Sequence, residues 1–574
     1  MIDPITTEII RHGLLSACEE MARNLCRTSY NTVVYEIHDY GIGLHDVNGD
    51  IAADAPGIAV FTRGNDYGIK KSIEFLGVEN MNPGDVFFNN YPYWSSAHTL
   101  DPLVFAPIHD DEDELIGFAS CRIHVLDLKQ KDIGYVLDST DMYQEGIFFP
   151  VVRLYKGGEI QEDIFNIIKF NSRLPSHTIG DIQAEVSAVF TGVKRTKEIA
   201  AKYGRDTLRE AMDAINDHGE RLARAALARM PNGTWSAEDF VDHDGVDLDK
   251  LVKMAVTITI KDDEMIVDWT ESADDVRGPI NLPRGMTEAF NCLIFKALTT
   301  PETGVTAGNF RPLKIITKEG SVMHAVPPMP TFTLWTALLG GEVMLKALAK
   351  GMPDQVPACS GGDVCSIMAL GIRPDTGDPW LEATNDAVGF GAHAGGDGAD
   401  GAMHLTEPGC RNNPVEVLEV KGPMILQSYG YRTDSGGPGK HRGGVGVSRV
   451  YKFLEPTTAI SILYKTKSAP WAINGGTEGD PNHIVLNPGE KNEIRQGGSY
   501  NILEADTVLA NNTGGGGGWG NPFERDPSEV SNDVRNQLVS LEAAERDYGV
   551  ALDPTTFEVD EAKTKELRLA ASPA

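Results

Sequence analysis

The residues of this sequence best suited to chemistry are concentrated in Trp94-Ser-Ser-Ala-His98-Thr-Leu-Asp101 and, one strand later, Arg122-Ile-His124-Val-Leu-Asp127. Neutral imidazole suits Zn, Mn or Fe and carboxylate oxygen suits Mn and Mg, so these side chains can together surround one divalent cation. A His-x-x-Asp pair is weak by itself, because it arises by chance in long acidic chains and usually marks a solvated loop. The local pattern strengthens it. Pro92 and Ser95-Ser96 read as a loop and Leu103-Val-Phe-Ala-Pro-Ile108 as a buried strand, which puts His98 and Asp101 at a loop-to-strand junction. The acidic turn Asp110-Asp-Glu-Asp-Glu114 separates that strand from the apolar run 115–124. An antiparallel hairpin is expected there, and it would return His124 toward His98 and Asp101.

A further carboxylate stands upstream. Asp39 lies in Tyr35-Glu-Ile-His-Asp39-Tyr-Gly-Ile-Gly-Leu44, whose alternation of polar and apolar residues predicts the first strand of the same sheet. A larger frame must position these pieces. Asp3-Pro4 reads as the cap and first turn of an amphipathic helix with Ile9, Leu14, Leu15, Cys18, Met21, Ala22 and Leu25 facing inward. Strands and hairpins then dominate to about Gly158, residues 179–229 read as helix with Lys194, Arg195, Lys197 and Glu198 on the wet face, and strands return near Trp235, including 256–260 and 265–269. Helical patterns at 285–299 and 334–350 interrupt them, without the βαβα rhythm of a doubly wound sheet. The expected class is α+β: a large, mixed, strand-rich, multi-lobed fold with interspersed helices. Its expected segments are a metal-site lobe over 1–160, a helical segment over 161–235, a mixed strand-rich region with Gly-rich loops over 236–525, and a C-terminal helix and tail over 526–574. Length alone allows about four domains.

The glycine-rich stretches do not read as nucleotide sites. Gly436-Gly-Pro-Gly-Lys440-His-Arg-Gly-Gly444 lacks the G-x-x-x-x-G-K-[ST] order, and Gly514 to Gly518 runs into Trp519-Gly-Asn-Pro522, which breaks a helix instead of starting one. Both predict backbone at positive φ or closely approached by another segment. Residues 385–401 contain His393, Asp397 and Asp400, with His404 just beyond. A flexible loop is expected there in preference to a second metal site, because the spacing matches no ligand pattern. Residues 527–548 read as one amphipathic helix with Val530, Val534, Leu538, Leu541 and Ala544 in line.

A formal net charge of −32 argues against nucleic acid and anionic membrane as partners, since phosphate binding needs a basic face. The seven cysteines are odd in number, scattered and without a C-x-x-C pair, as expected of buried thiols in a reducing, cytoplasmic setting. Met1-Ile-Asp-Pro-Ile shows no basic and apolar leader, and no apolar run reaches the length of a membrane span.

The order of several short motifs resembles the hydantoinase B family. They are Glu36-x-x-Asp39, Gly43-Leu44-x-Asp46-x-x-Gly49, Asp54-Ala55-Pro56, His98-x-x-Asp101 and Arg122-x-His124-x-x-Asp127. Further matches are Glu145-Gly146 before Phe149-Pro150, Asn171-Ser-Arg173-Leu-Pro175 with Gly180-Asp181-x-Gln183-Ala184, and Asn413-Pro-Val-Glu416-x-x-Glu419. The downstream half adds the two glycine-rich stretches and Val539-Ser-x-Glu542-x-Ala544, so the resemblance covers nearly the whole chain. It implies a metal-ligand role for Asp39, His98, Asp101 and His124. Many hydantoinase-type members carry Gly-Thr before the first histidine and His-His-Ala-Asp-Ile-Gly-Gly at the second. This chain reads Ser96-Ala97-His98 and His124-Val-Leu-Asp127-Leu-Lys-Gln130, which keeps the ligand positions, changes their surroundings and leaves the substrate class open.

The resemblance further implies the metal-binding subunit of an ATP-dependent cyclic-amide hydrolase of hydantoinase, oxoprolinase or lactamase type. A hydantoinase A-type ATPase partner would bind ATP and phosphorylate the substrate, in a hetero-oligomer such as a heterotetramer. One divalent metal (Zn, Mn or Fe) would serve hydrolysis. Asp127 could orient a ligand histidine or accept a proton, and Glu145 is a candidate base with a structural salt bridge as its alternative. The competing readings are a subunit of an acetophenone-type ketone carboxylase and a non-catalytic scaffold subunit.

Overall fold

The computed structural model describes residues 2–55 and 57–571; Pro56 of the Asp54-Ala55-Pro56 match lies outside them. The chain forms two compact units, the first comprising Met1–Thr234, His243–Gly341 and Thr406–Asn413 and the second Trp235–Asp242, Glu342–Leu405 and Pro414–Ala574.

The first unit opens with α1 (Pro4–Thr28), where the Asp3 carboxylate accepts the N–H groups of Ile5 and Thr6 at 3.0 Å each, an N-cap of the expected kind. Its buried stripe is Ile10, Leu14, Ala17, Cys18, Met21, Ala22 and Leu25. The expected Ile9 is instead 49% exposed, because at helical pitch it lies about 140° around the axis from Leu14. After the single turn α2 (Thr32–Tyr35) come β1 (Tyr40–His45), β2 (Ile51–Ala55), α3 (Ala59–Leu76), β3 (Val86–Asn89), the turn α4 (Pro92–Ser95), β4 (Leu103–His109), β5 (Leu115–Ile123), β6 (Val152–Lys156) and β7 (Glu159–Ile160). These strands form one seven-stranded sheet of order β2-β1-β5-β4-β3-β6-β7. Every neighbouring pair is antiparallel, including the expected β4–β5 hairpin.

Three helices follow: α5 (Glu162–Phe170), α6 (Pro175–Tyr203) and α7 (Arg205–Leu227). The continuous helix expected over 179–229 is broken at Gly204, whose φ of 90° a residue with a Cβ rarely adopts. α6 packs on α1 and on the β4–β5 hairpin. There Gly192 is needed for space: a Cβ would meet Met21 Sδ at 2.6 Å and Ala119 Cβ at 2.9 Å. β8 (Gly233–Val241) leads the chain out of this unit; β9 (Val252–Lys261), β10 (Glu264–Asp268), α8 (Arg284–Thr299) and β11 (Leu313–Ile316) return to it. α9 (Trp335–Ala349) leads out again.

In the second unit, β12 (Ser366–Ile372), β13 (Pro379–Thr384), α10 (Val415–Lys421), β14 (Met424–Tyr431), β15 (Val447–Phe453), β16 (Thr457–Ile462), β17 (His483–Leu486), β18 (Ile494–Gln496), β19 (Ser499–Leu503) and β20 (Val508–Asn512) build two sheets, β13-β12-β16-β19 and β14-β15-β20-β17-β18. Trp380, Tyr451, Phe453 and Leu509 are in their shared core. The run Gly514–Gly518 is a place of backbone crowding, not of positive φ: a Cβ on Gly515 would lie 1.9 Å from the Ser435 carbonyl oxygen, and one on Gly516 1.9 Å from that of Phe390. The segment 385–401 is pinned, contrary to the expected flexible loop. Asp397 accepts from Arg525 at 2.6 Å and Asp400 from Arg442 at 2.9 Å, while His404 is buried 3.3 Å from Glu342. The C-terminal helix expected over 527–548 is two, α11 (Pro527–Arg535) and α12 (Leu541–Tyr548), followed by α13 (Glu561–Ala571). Gln537 takes φ 61° and Ser540 caps the new start through the Ala543 N–H, so local turn chemistry overrides the apolar period.

None of the seven cysteines forms a disulfide, and all but Cys26 are buried. Among the described residues, no helix is long and apolar enough to cross a membrane.

Candidate metal centre

The sheet register explains why the chemistry-bearing residues meet. Tyr40 opposes Ile123 and Leu103 opposes Arg122, so Asp39 just before β1, His124 just after β5 and Asp101 just before β4 emerge at one end of adjacent strands. Backbone bonds fix that end: His124 N–H donates to the Asp39 carbonyl at 3.3 Å, Val125 N–H to Leu100 at 2.8 Å, and Asp101 N–H to His98 at 3.0 Å.

Asp101 is the hinge of the cluster, with Oδ1 3.0 Å from His124 Nδ1 and Oδ2 3.4 Å from His98 Nε2. The two imidazoles stand 5.0 Å apart at 89°, and ligand-type atoms of His98, Asp101 and His124 all lie within 4.8 Å of one another. Asp39 stands beside them, within electrostatic reach of Asp101 and His124 but outside that tight group. His98, Asp101 and His124 are buried and Asp39 is half-buried. Burial pushes the Asp39 carboxyl up to about 7 and His98 down to about 4, whereas for His124 the hydrogen bond and charge of Asp101 outweigh burial and raise it.

Asp39 Oδ1, Asp101 Oδ2, His98 Nδ1 and His124 Nε2 have no hydrogen-bond partner. Each unsatisfied buried polar atom costs about 1–3 kcal/mol, and carboxylate oxygens beside imidazole nitrogens are a donor set for a divalent cation. The residues present therefore fit the metal that the sequence suggested.

Several residues for which the sequence suggests no role support this end. Asn31 caps α2 through Val33 N–H at 2.7 Å, and its amide donates to the His124 carbonyl at 2.9 Å. Asp181 on α6 in turn accepts Tyr30 N–H at 2.7 Å and Asn31 N–H at 3.3 Å, which gives the Gly180-Asp181 match a physical role. Arg122 donates to Asn65 at 2.9 Å and to the Ser95 carbonyl, tying β5 to the loop that carries His98. The remaining sequence candidates lie elsewhere. The Asp127 carboxylate is engaged by Arg173 Nη2 at 2.6 Å. Glu145 is buried, accepting Ser139 Oγ at 2.8 Å and the Thr331 and Phe332 N–H groups at 2.9 and 3.1 Å, and burial pushes its carboxyl up to about 8. Phe332 stacks on His98 with centroids 4.9 Å apart, a neighbour so distant in sequence that no spacing announces it.

A second buried histidine cluster occupies the same sheet. His45 Nε2 lies 2.8 Å from Ser120 Oγ and Nδ1 lies 3.0 Å from Asp66, whose other oxygen takes Arg63. The order resembles a nucleophilic triad, but His45 and Ser120 are 0% exposed and a substrate has no way in.

Residues 3–522 match the family model for hydantoinase B/oxoprolinase. A protein of a Pseudomonas sp. (strain NS671), named as one subunit of a putative D-/L-hydantoinase, is 30% identical, over 99% of this chain and 98% of its own length. The crystal structure of the ATP-dependent caprolactamase from Pseudomonas jessenii superposes with a TM-score of 0.91 at 26% identity, over 99% of this chain and 100% of that one. A nucleotide-free structure of acetone carboxylase shares the fold, with a TM-score of 0.90 at 18% identity over 100% of this chain and 84% of its own.

Proposed function

The chain belongs to the hydantoinase B/oxoprolinase family, and on that premise we propose that it is the metal-binding subunit of an ATP-dependent cyclic-amide hydrolase. An A-type ATPase subunit would phosphorylate the amide oxygen, and this chain would hydrolyse the activated intermediate within a cytoplasmic hetero-oligomer such as a heterotetramer. The observation that carries the reading is the set of buried, unpartnered donor atoms on Asp39, Asp101, His98 and His124.

Those four side chains would hold one divalent ion, with Zn, Mn and Fe all suited to the donor set. When bound, such an ion acidifies water from about 15.7 to ~7 and stabilises negative charge developing on the substrate oxygen. Phosphorylation makes the amide carbon electrophilic and its oxygen a good leaving group. Asp101, between both imidazoles, orients them; Asn31 and Arg122 hold the backbone on which they stand. The subunit name of the hydantoinase relative and the ATP dependence of the caprolactamase support a partner that supplies the phosphoryl group.

A second reading, an acetophenone-type ketone carboxylase subunit, is favoured by the changed residues after His124 together with the fold shared with acetone carboxylase. Co-expression with the A-type partner, followed by ATP turnover against lactams, hydantoins and ketones with and without bicarbonate, separates the two. Bicarbonate-independent turnover of a cyclic amide supports the hydrolase; ketone turnover that requires bicarbonate would replace it with the carboxylase. Absence of both metal and product would leave a scaffold subunit.

A further inference from the structure

We propose that Glu145 is a positioning residue for the metal centre: its Oε1 seats the Thr331–Phe332 backbone so that the Phe332 ring braces one face of His98. The inference rests on the reading of His98 as a metal ligand and adds to it the device that holds the imidazole still.

The segment around Phe332 has neither helix nor strand to hold it, so its place against His98 must come from specific anchors. Glu145 provides them. Its Oε1 accepts Thr331 N–H at 2.9 Å, Phe332 N–H at 3.1 Å and Ser139 Oγ at 2.8 Å, while Oε2 takes only a second, 3.1 Å share of Thr331 N–H. Pro330 and Thr333 are separately tied, to Asn281 at 3.0 Å and to the Pro279 carbonyl at 2.9 Å, and the Phe332 carbonyl takes only a long, 3.5 Å bond from the Tyr135 hydroxyl, so loss of Glu145 removes the short bonds of the middle of the segment and leaves its ends in place.

That middle is what touches the centre. Phe332 lies parallel to His98, 4.9 Å away at 10°, and Tyr135 stands edge-on to both, at 5.7 Å from His98 and 4.9 Å from Phe332. With one face on Phe332 and one edge against Tyr135, the imidazole is held in one plane, in which Nε2 faces Asp101. Fixing a ligand ring in its plane is how supporting residues raise metal affinity. Because the bonds converge on one oxygen, glutamine can reproduce the seat but cannot act as a base, which separates this role from general-base catalysis.

The test uses the full chain as wild type, E145Q, E145A and F332L, stripped of metal and titrated with Co2+ against a competing chelator while the visible spectrum is recorded. E145A and F332L are expected to weaken Co2+ binding about 10–100-fold and to alter the ligand-field bands, with E145Q matching wild type. Unchanged affinity and spectrum in E145A and F332L would overturn the inference, as would an E145Q as weak as E145A. Failure of wild type itself to bind Co2+ would instead sink the metal reading. A crystal structure of metal-free E145A decides the seat independently of any ion: Phe332 displaced from His98 supports it, and Phe332 still stacked at wild-type distance refutes it.

Discussion

Two buried histidine–carboxylate clusters stand on one sheet, and they differ in what their remaining polar atoms face. In the His45–Asp66–Ser120 cluster, each ring nitrogen faces a protein oxygen, at 2.8 and 3.0 Å, and Arg63 together with His45 brings the Asp66 carboxyl below its ordinary value against the upward push of burial. In the His98–Asp101–His124 cluster no arginine pairs with Asp101 among the described residues, and His98 Nδ1, His124 Nε2 and the neighbouring Asp39 Oδ1 remain unpartnered. Burial of histidine beside aspartate is therefore not the mark of a site. The mark is a carboxylate set between two imidazoles with no arginine to neutralise it, where the closed cluster spends its carboxylate on Arg63.

The contrast is broken most sharply by removing one histidine from the open cluster. His124→Ala should take metal from ~1 per chain to near zero while the thermal transition persists, as for an open site, read by elemental analysis and calorimetry. The closed cluster should answer in the opposite way. Asp66→Ala leaves the half-buried Arg63 without its counter-charge and the buried His45 without its hydrogen-bond partner, and should cost about 3–5 kcal/mol in denaturant unfolding, with metal content unchanged. A smaller effect is expected one step out from the open cluster, where Asn31→Ala removes the amide that holds the His124 carbonyl and should weaken metal affinity about 10–100-fold in chelator competition.

The last effect is one of pH. Burial raises the Glu145 carboxyl from 4.5 to about 8, so the fold favours its protonated form. Its contribution is fully present below the unfolded value and is lost as pH rises through the folded one. Unfolding curves of E145Q and wild type should therefore separate between pH 4.5 and about 8, with E145Q gaining on wild type as pH rises. Parallel curves across that window would show that Glu145 is ionised throughout.

Much of the open cluster was legible because it is local. An acidic turn between two apolar runs forces the β4–β5 hairpin, and the hairpin brings His124 back to Asp101. The supports were not legible. Asn31 and Asp181 act through backbone contacts that leave no periodic trace, and Phe332 reaches His98 from a segment with no secondary structure. Ile9 and the C-terminal helix failed for a different reason: a run of apolar residues states that something is buried, while the phase of the stripe and its breaks are set by neighbours and caps.

The account stands or falls on whether the open cluster serves the step after phosphorylation. The direct measurement is ADP release against product release by Asp101→Asn assembled with the A-type partner, with assembly confirmed by size. The account predicts that ADP release continues at least in part while product release stops, because Asp101 links both imidazoles and lies outside the phosphorylating subunit. Product released at the wild-type rate by an assembled, metal-depleted Asp101→Asn complex would contradict it.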